Sequence, residues 1–312
     1  MKGVLASLTA SLLFGVLYYY VTWLQPLDGL EVFAWRVVLT VPYLAVFLFC
    51  TGGGSVFRHL LRGVWHRPVR MAAYMLSAGL LGVQLWLFTW APLHGYALDV
   101  SLGYFLMPLV MVVIGRWYYA DRLSVLQYVA AGVAALGVMH EVYRSGGFSW
   151  PALVVALGYP PYFLLRRRLG SNTTAGFFLD MLLLMPLAAW LLTQAESGWG
   201  FPAQGLSPAL LIAGLGILTV VSLTCYMLAS RLLNLSLFGL LGYVEPALLV
   251  VAAIALGERL TGTDYLTYLP IWAAVALLAG DGFLTWRRSL RRRAWVRTDA
   301  TQEKPAADAR KT

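Results

Sequence analysis

The chain has 312 residues, of which 60% are hydrophobic and only 12% are charged, and its mean hydropathy is +0.72. Soluble globular domains are about half apolar and about a quarter charged, so this composition excludes an ordinary soluble protein. A formal net charge of +9 would suit a basic partner surface. The basic residues instead lie mostly between long apolar runs and in the tail, as in membrane proteins.

Ten apolar runs follow one another along the chain. A run of about 18 or more apolar residues with few charges is typical of a transmembrane helix. We therefore predict an all-α integral membrane protein with ten transmembrane helices. The runs cover residues 3–23, 31–50, 71–91, 99–117, 124–143, 148–165, 173–194, 207–229, 235–256 and 266–286.

The first run is predicted to be a retained helix and not a signal peptide. It is longer than the apolar core of a signal peptide, and it ends in Tyr18, Tyr19 and Tyr20 without a small-residue cleavage site. The two cysteines, Cys50 and Cys225, both fall within apolar runs. Their positions favour neither a disulfide framework nor a metal site.

The distribution of basic residues predicts the orientation. Basic residues mark the cytoplasmic loops of membrane proteins, and ten spans with an inside N-terminus leave only Arg144 and Arg259 outside. We predict a multi-pass membrane protein with both termini cytoplasmic and a basic, disordered tail at 287–312 that contacts lipids and not nucleic acid. The predicted inside set is Lys2, Arg58, Arg62, Arg67, Arg70, Arg116, Arg122, Arg166, Arg167, Arg168, Arg231 and the tail from Arg287.

The two halves of the chain share a pattern. Residues 107–124 and 245–261 each have a proline, an apolar run, and then an acid, arginine, leucine and hydroxyl residue. The copies end the fourth and ninth runs, so the repeat is five helices and the second half enters the membrane inverted. We predict two inverted five-helix repeats, at 1–145 and 146–286. Such repeats are a common basis for alternating access, with binding near the midplane.

Two Gly-Tyr pairs precede a proline in the middle of an apolar run, in SLGYFLMPL (101–109) and LGYVEPALL (241–249). Pro108 and Pro246 each remove a backbone donor, so we expect two broken helices beside a cavity. This makes Tyr104 and Tyr243 candidates for substrate binding. Tyr159, which precedes two further prolines, is a third candidate. The alternative is that the prolines are ordinary kinks.

Two charged residues fall inside apolar runs. Glu245 lies near the middle of its run, where a carboxylate costs several kcal/mol unless it is paired, protonated or hydrated. It is a candidate for substrate binding and for proton coupling, or it is a protonated acid held by a neighbouring helix. Arg36 keeps its charge. It faces an anionic substrate group, pairs with an acid such as Glu31, or reaches the outer interface.

Polar and aromatic residues in the third run complete the candidate site. Gln84 is expected to face inward, because an amide in hydrocarbon needs a partner. Trp86 lies deeper than Trp90 and is the better candidate for a cavity wall.

Other acids favour structural roles. Asp180 is expected to pair with the arginines at 166–168, and Asp99 to cap the fourth helix. His140 and Glu141 are expected at the outer interface. They do not form a zinc-protease motif.

The stretch QLWLFTWAPLHGYALDVSLGYFLMPLV (84–110) resembles the signature region of RarD-type proteins, in the EamA branch of the drug/metabolite transporter superfamily. The resemblance covers about the whole chain, including Arg36 and the acid-Arg-Leu after the fourth run. It implies a ten-helix inner-membrane protein with two inverted five-helix repeats that acts as a secondary transporter, mostly in export. The family has an Asn-Trp pair where Leu85 separates Gln84 from Trp86, and an Asn in place of Met107, so no particular substrate carries over.

The leading hypothesis is an exporter of a small amino-acid-like or amphipathic metabolite, with Glu245 available for proton coupling. The alternatives are uptake by the same fold and a membrane assembly partner without transport. No motif of an intramembrane or zinc hydrolase is present, so we predict no enzyme activity, catalytic residue, metal or cofactor. The absence of a phosphate-loop motif points to an ion or solute gradient as the energy source. Oligomeric state stays open.

Overall fold

A computed structural model describes residues 2–24, 27–65, 67–94, 96–144, 146, 149–195, 208–248, 262–263, 265–281 and 284. All regular secondary structure in these ranges is helical. The helices are α1 Lys2–Thr22, α2 Gly29–Cys50, α3 Gly54–Trp65, α4 Pro68–Leu93, α5 Ala97–Tyr118, α6 Val125–Arg144, α7 Trp150–Arg168, α8 Thr174–Thr193, α9 Pro208–Leu232, α10 Leu235–Leu241 and α11 Tyr265–Asp281.

The apolar helices fit a multi-pass membrane protein. Within the described ranges, six are long and apolar enough to cross a membrane: α1, α2, α4, α6, α8 and α9. Three shorter apolar segments are part of α5 (Gly103–Tyr118), α10 with the residues that follow it (Leu235–Leu248), and α11 (Tyr265–Asp281). Each of the ten predicted runs overlaps a helix, although 249–256 of the ninth run and 282–286 of the tenth are not continuously described. The ten-span topology and the inverted repeats stay predictions.

Helix α3 is the element that sequence reasoning did not anticipate. Its 12 residues, GSVFRHLLRGVW, lie between α2 and α4, where we expected only a loop. The segment is too short and too basic to be taken for a membrane span. Apolar residues three to four apart instead place Phe57, Leu60 and Val64 together, and these pack on Tyr74 and Leu179.

The expected matched pair of helix breaks is wrong at its first member. Helix α5 runs unbroken through Pro108 from Ala97 to Tyr118. The second break is present: α10 ends at Leu241, a turn occupies Gly242 and Tyr243, and helix resumes at 244–248. The Gly242 carbonyl is not left free there, because it accepts a hydrogen bond of 3.3 Å from the backbone N–H of Glu245.

Helices from the two predicted repeats pack against each other. α1 lies against α9, α2 against α8, and α5 against both α7 and α10. Small residues permit close approach in membrane bundles. A Cβ at Gly103 would lie 2.6 Å from the carbonyl oxygen of Ala152, so α5 and α7 meet backbone to backbone. At the crossing of α5 and α10, Gly239 packs on Pro108 and Met111.

The contact at Gly103 gives a stability prediction. Gly103→Ala should force α5 and α7 apart and lower stability by about 1–3 kcal/mol, as other overpacked sites do. The measurement is the apparent melting temperature of purified protein in detergent. Gly132→Ala is the matched control, because a Cβ at Gly132 meets nothing within 4 Å and alanine favours a helix over glycine. Equal melting temperatures for the two variants would show that the α5–α7 approach is not tight.

Candidate substrate site

A narrow cavity lies among helices from both predicted repeats. Its lining has one guanidinium, one carboxylate, five aromatic side chains and one leucine. The residues are Phe14, Arg36, Leu85, Phe88, Tyr104, Tyr159, Tyr226 and Glu245. Four of the seven predicted site residues therefore meet here.

Arg36 brings a buried positive charge to the cavity. Its side chain is 1% exposed. Nε donates a hydrogen bond of 3.3 Å to Thr219 Oγ1, and the guanidinium carbon lies 5.4 Å from the centre of the Phe88 ring. Among the described residues Nη1 has no hydrogen-bond partner. Glu31 takes part in the capping box of α2 with Asp28, and no described ion pair joins it to Arg36.

Glu245 brings the opposite charge. It lies in the short helix at 244–248, directly after the turn at Gly242 and Tyr243, and it is 5% exposed. Within the described part of the chain, no ion pair within 4 Å joins it to Arg36. A buried carboxylate without a partner is costly in hydrocarbon. The cavity therefore contains two buried groups of opposite charge that do not pair with each other, and Arg36 Nη1 has no hydrogen-bond partner among the described residues.

Aromatic rings close the space around these charges. Phe88 and Tyr104 have centroids 6.1 Å apart, Tyr104 and Tyr159 are 6.2 Å apart, and Tyr159 and Tyr226 are 6.3 Å apart. Phe14 stands edge-on to Tyr226 at 5.6 Å. Ring faces attract cations and ring edges pack tightly, so the chemistry of these rings favours a cationic or amphipathic group.

The cavity is about 10 Å³ in volume, which is about the space that one water molecule needs. A solute with a carbon skeleton does not fit without movement of the surrounding rings. The structure thus represents a closed form of the site.

The other three predicted site residues lie outside the lining. Gln84 is buried, and its Nε2 donates a 2.9 Å hydrogen bond to the carbonyl of Val154, which ties α4 to α7. Trp86 packs beside Trp90 at 5.3 Å. Tyr243 is fully buried in a separate apolar cluster.

Three lining aromatics were missed by sequence reasoning: Phe14, Phe88 and Tyr226. Phe88 lies four residues after Gln84 on α4, but only Phe88 reaches the cavity. Aromatic residues make up 14% of the chain, so their type alone does not single out those that line a cavity.

The predicted structural ion pair of Asp180 is confirmed. Arg166 Nη1 lies 3.1 Å from Asp180 Oδ2, and both side chains are fully buried. Tyr162 donates to the same oxygen at 3.1 Å, and Arg166 Nη2 donates to the carbonyl of Thr173. This cluster joins α7 to α8.

One expectation for the other acids was wrong, and the contacts of Glu141 add a structural role to its position at the end of α6. Asp99 does not cap α5, because Tyr96 occupies the N-cap and Asp99 lies in the first turn. Glu141 is buried, accepts a 2.8 Å hydrogen bond from Thr267 and pairs with Arg144, so it connects α6 to α11.

Comparison with known proteins supports a transporter. No protein-family model matches the chain. The chloramphenicol-sensitive protein RarD of Pseudomonas aeruginosa is 42% identical over 296 residues, which cover 93% of this chain and 98% of that protein. A Pasteurella multocida protein named as an uncharacterized transporter is 37% identical over 92% of this chain and 98% of its own length. Protein RarD of Escherichia coli is 29% identical over 92% and 97%.

A solved crystal structure shares the fold at 18% identity. It aligns with a TM-score of 0.67 over 89% of this chain and 97% of the other. Apolar helices around a narrow charged cavity, with relatives named as transporters, indicate a multi-pass membrane protein of the transporter class. The similarity to Pseudomonas aeruginosa RarD shows that the chain belongs to the RarD family.

The two buried arginines predict opposite effects of one substitution. Arg36→Met removes a charge without an acidic partner and should raise the melting temperature, because such a charge is costly in a membrane. Arg166→Met leaves Asp180 buried and unpaired, and it should lower stability by about 3–5 kcal/mol. Thermal unfolding in detergent measures both. A fall in melting temperature of similar size for the two variants would show that Arg36 also has a structural acid partner.

Proposed function

We propose that the chain is a secondary transporter that exports a small metabolite by alternating access through the cavity between Arg36 and Glu245. The observation that carries this proposal is a pair of buried, oppositely charged groups without a mutual ion pair. Such charges within a membrane bundle generally mark substrate or ion pathways. Two such buried charges are better explained by ligand binding than by a contribution to the stability of the protein.

The position of the cavity supports alternating access. Phe14, Arg36 and Tyr104 come from the first predicted repeat, and Tyr159 and Glu245 come from the second. Secondary transporters bind their solute between repeats that rock against each other. The closed cavity then corresponds to an intermediate between two open forms.

The chemistry of the lining favours an amino-acid-like solute. A carboxylate is the natural partner of the Arg36 guanidinium, since charge-assisted hydrogen bonds from arginine to carboxylates are strong. An ammonium group suits Glu245 and the faces of the surrounding tyrosines. A solute with both groups separated by a short carbon skeleton would satisfy the two buried charges at once.

Energy is proposed to come from a proton gradient through Glu245. When no solute amine is bound, a proton is the simplest partner for a carboxylate in a low-dielectric site. Exchange of that proton for the solute would couple the two fluxes. Uptake would use the same geometry in reverse, and the flux measurements below distinguish uptake from export.

The first test is mass spectrometry of cells and medium. A strain lacking the gene is compared with strains producing wild type, Glu245→Gln or Glu141→Gln at matched membrane levels. We expect a compound with both acid and amine groups to accumulate in the medium only with wild type and Glu141→Gln, and to fall about tenfold or more with Glu245→Gln.

Glu141→Gln is a matched control, because Glu141 is also a buried acid in a membrane helix but lies outside the cavity. If the same compound appears inside cells only when the gene is present, uptake replaces export. If no compound moves in either direction under several growth conditions, the transporter proposal fails.

Proton coupling has a separate prediction. Wild-type protein is placed in liposomes that contain a pH-sensitive dye, and the exported compound is added outside. We expect solute entry to change the internal pH with wild type, and Glu245→Gln to exchange labelled solute without a pH change. An unaltered pH response in Glu245→Gln would assign proton coupling to another group. The proposal that the cavity binds the solute would still stand.

A further inference from the structure

A second pocket lies at one end of the bundle, away from the charged cavity. It is bounded by α3, the start of α4 and the turn between α7 and α8. Its volume of about 260 Å³ is more than twenty times that of the cavity at Arg36. The lining residues are Val56, His59, Leu60, Gly63, Val64, Arg70, Tyr74, Leu169, Gly170 and Thr173.

The walls of this pocket divide into an apolar part and a basic part. Val64 and Tyr74 are buried at its base, and they belong to a small apolar cluster that holds α3 on α4 and α8. His59 and Arg70 are exposed at its rim. A Cβ at Gly63 would lie 3.3 Å from Arg70 Nη1, so the guanidinium lies directly over α3. No carboxylate is among the described residues of the lining.

Charge accumulates in the chain around the pocket. The stretch RHLLRGVWHRPVR at 58–70 has four arginines and two histidines and no acid. Arg58 and Arg67, next to the pocket, are exposed. A polyanion or a surface of negative charge is the complementary partner of such a segment.

Exposed apolar residues accompany these charges. Val56 is 50% exposed and Val69 is 81% exposed, and both lie beside basic residues at this end of the bundle. The apolar side of α3 packs on Tyr74 and Leu179, but Val56 and Val69 stay exposed beside arginines, a combination typical of a membrane interface. The apolar residues fit acyl chains, which a free anion does not supply.

We propose that this pocket binds the phosphate group of an anionic membrane lipid, with Arg70 and His59 on the phosphate and Val56 beside the acyl chains. Basic pockets between membrane helices recognise anionic headgroups in this way. The lipid would lie across α3, α4 and the α7–α8 turn, and so fasten α3 to the bundle. The proposal stands independently of the transported solute.

The test is lipid binding to purified, delipidated full-length protein in detergent. Native mass spectrometry counts bound phosphatidylglycerol, phosphatidylcholine and inorganic phosphate over a concentration series. Arg70→Gln removes the charge at the rim. Gly63→Leu keeps every charge but fills the space below Arg70. Arg122→Gln is the control, because Arg122 is an exposed arginine outside the pocket.

We expect wild type and Arg122→Gln to prefer phosphatidylglycerol over phosphatidylcholine, and Arg70→Gln and Gly63→Leu to weaken phosphatidylglycerol binding about fivefold or more. Gel filtration establishes that each variant is folded. If one of the two pocket variants does not fold, the other one alone tests the proposal. Equal binding of the two lipids by wild type overturns the proposal. So does equal weakening by Arg70→Gln and Arg122→Gln. Inorganic phosphate that binds as tightly as phosphatidylglycerol would assign the pocket to a soluble anion instead.

Discussion

Hydrocarbon supplies no hydrogen-bond partners, so each polar group inside a membrane bundle must be satisfied by another part of the chain. Much of the described interior follows this constraint. Thr40 Oγ1 donates to the carbonyl of Arg36, Ser222 Oγ donates to that of Leu218, and Thr89 Oγ1 donates across to Gly29. The first two hydroxyls bond to a carbonyl of their own helix, and the third bonds to a carbonyl of a neighbouring helix. Arg36 differs from them, because its Nη1 has no hydrogen-bond partner among the described residues and no ion pair joins it to Glu245 across the cavity.

Arg166 and Arg36 are both buried, but Arg166 has a structural role and Arg36 is a candidate for ligand binding. Arg166 pairs with Asp180 and donates a hydrogen bond to the Thr173 carbonyl, and Tyr162 donates to Asp180, so the charge of Arg166 is matched within the protein and joins two helices. Arg36 has one threonine contact and an aromatic face. Replacing a matched buried pair by apolar residues often costs little, whereas breaking one costs much. A buried charge without an acidic partner in the protein differs, because a bound ligand can supply that partner.

The sequence was sufficient for most helices because length and apolarity are strong constraints in a bilayer. It was insufficient for α3, whose amphipathic pattern is short, and for Pro108, where the helix continues despite the missing donor. Charged site residues could be found because a charge in hydrocarbon is rare. The positions of Gln84 and Phe88 could not, because side-chain direction on a helix and contacts with neighbouring helices decide which residue lines a cavity.

The small volume of the charged cavity has a bioenergetic consequence. A membrane that maintains a proton gradient cannot tolerate an open water column through its proteins, since protons pass along continuous chains of water. A space for about one water molecule, enclosed by Phe14, Phe88 and three tyrosines, interrupts such a chain. In this form the cavity would not offer protons a continuous path of water. A cell could therefore keep many copies idle without losing the gradient that drives its other transport.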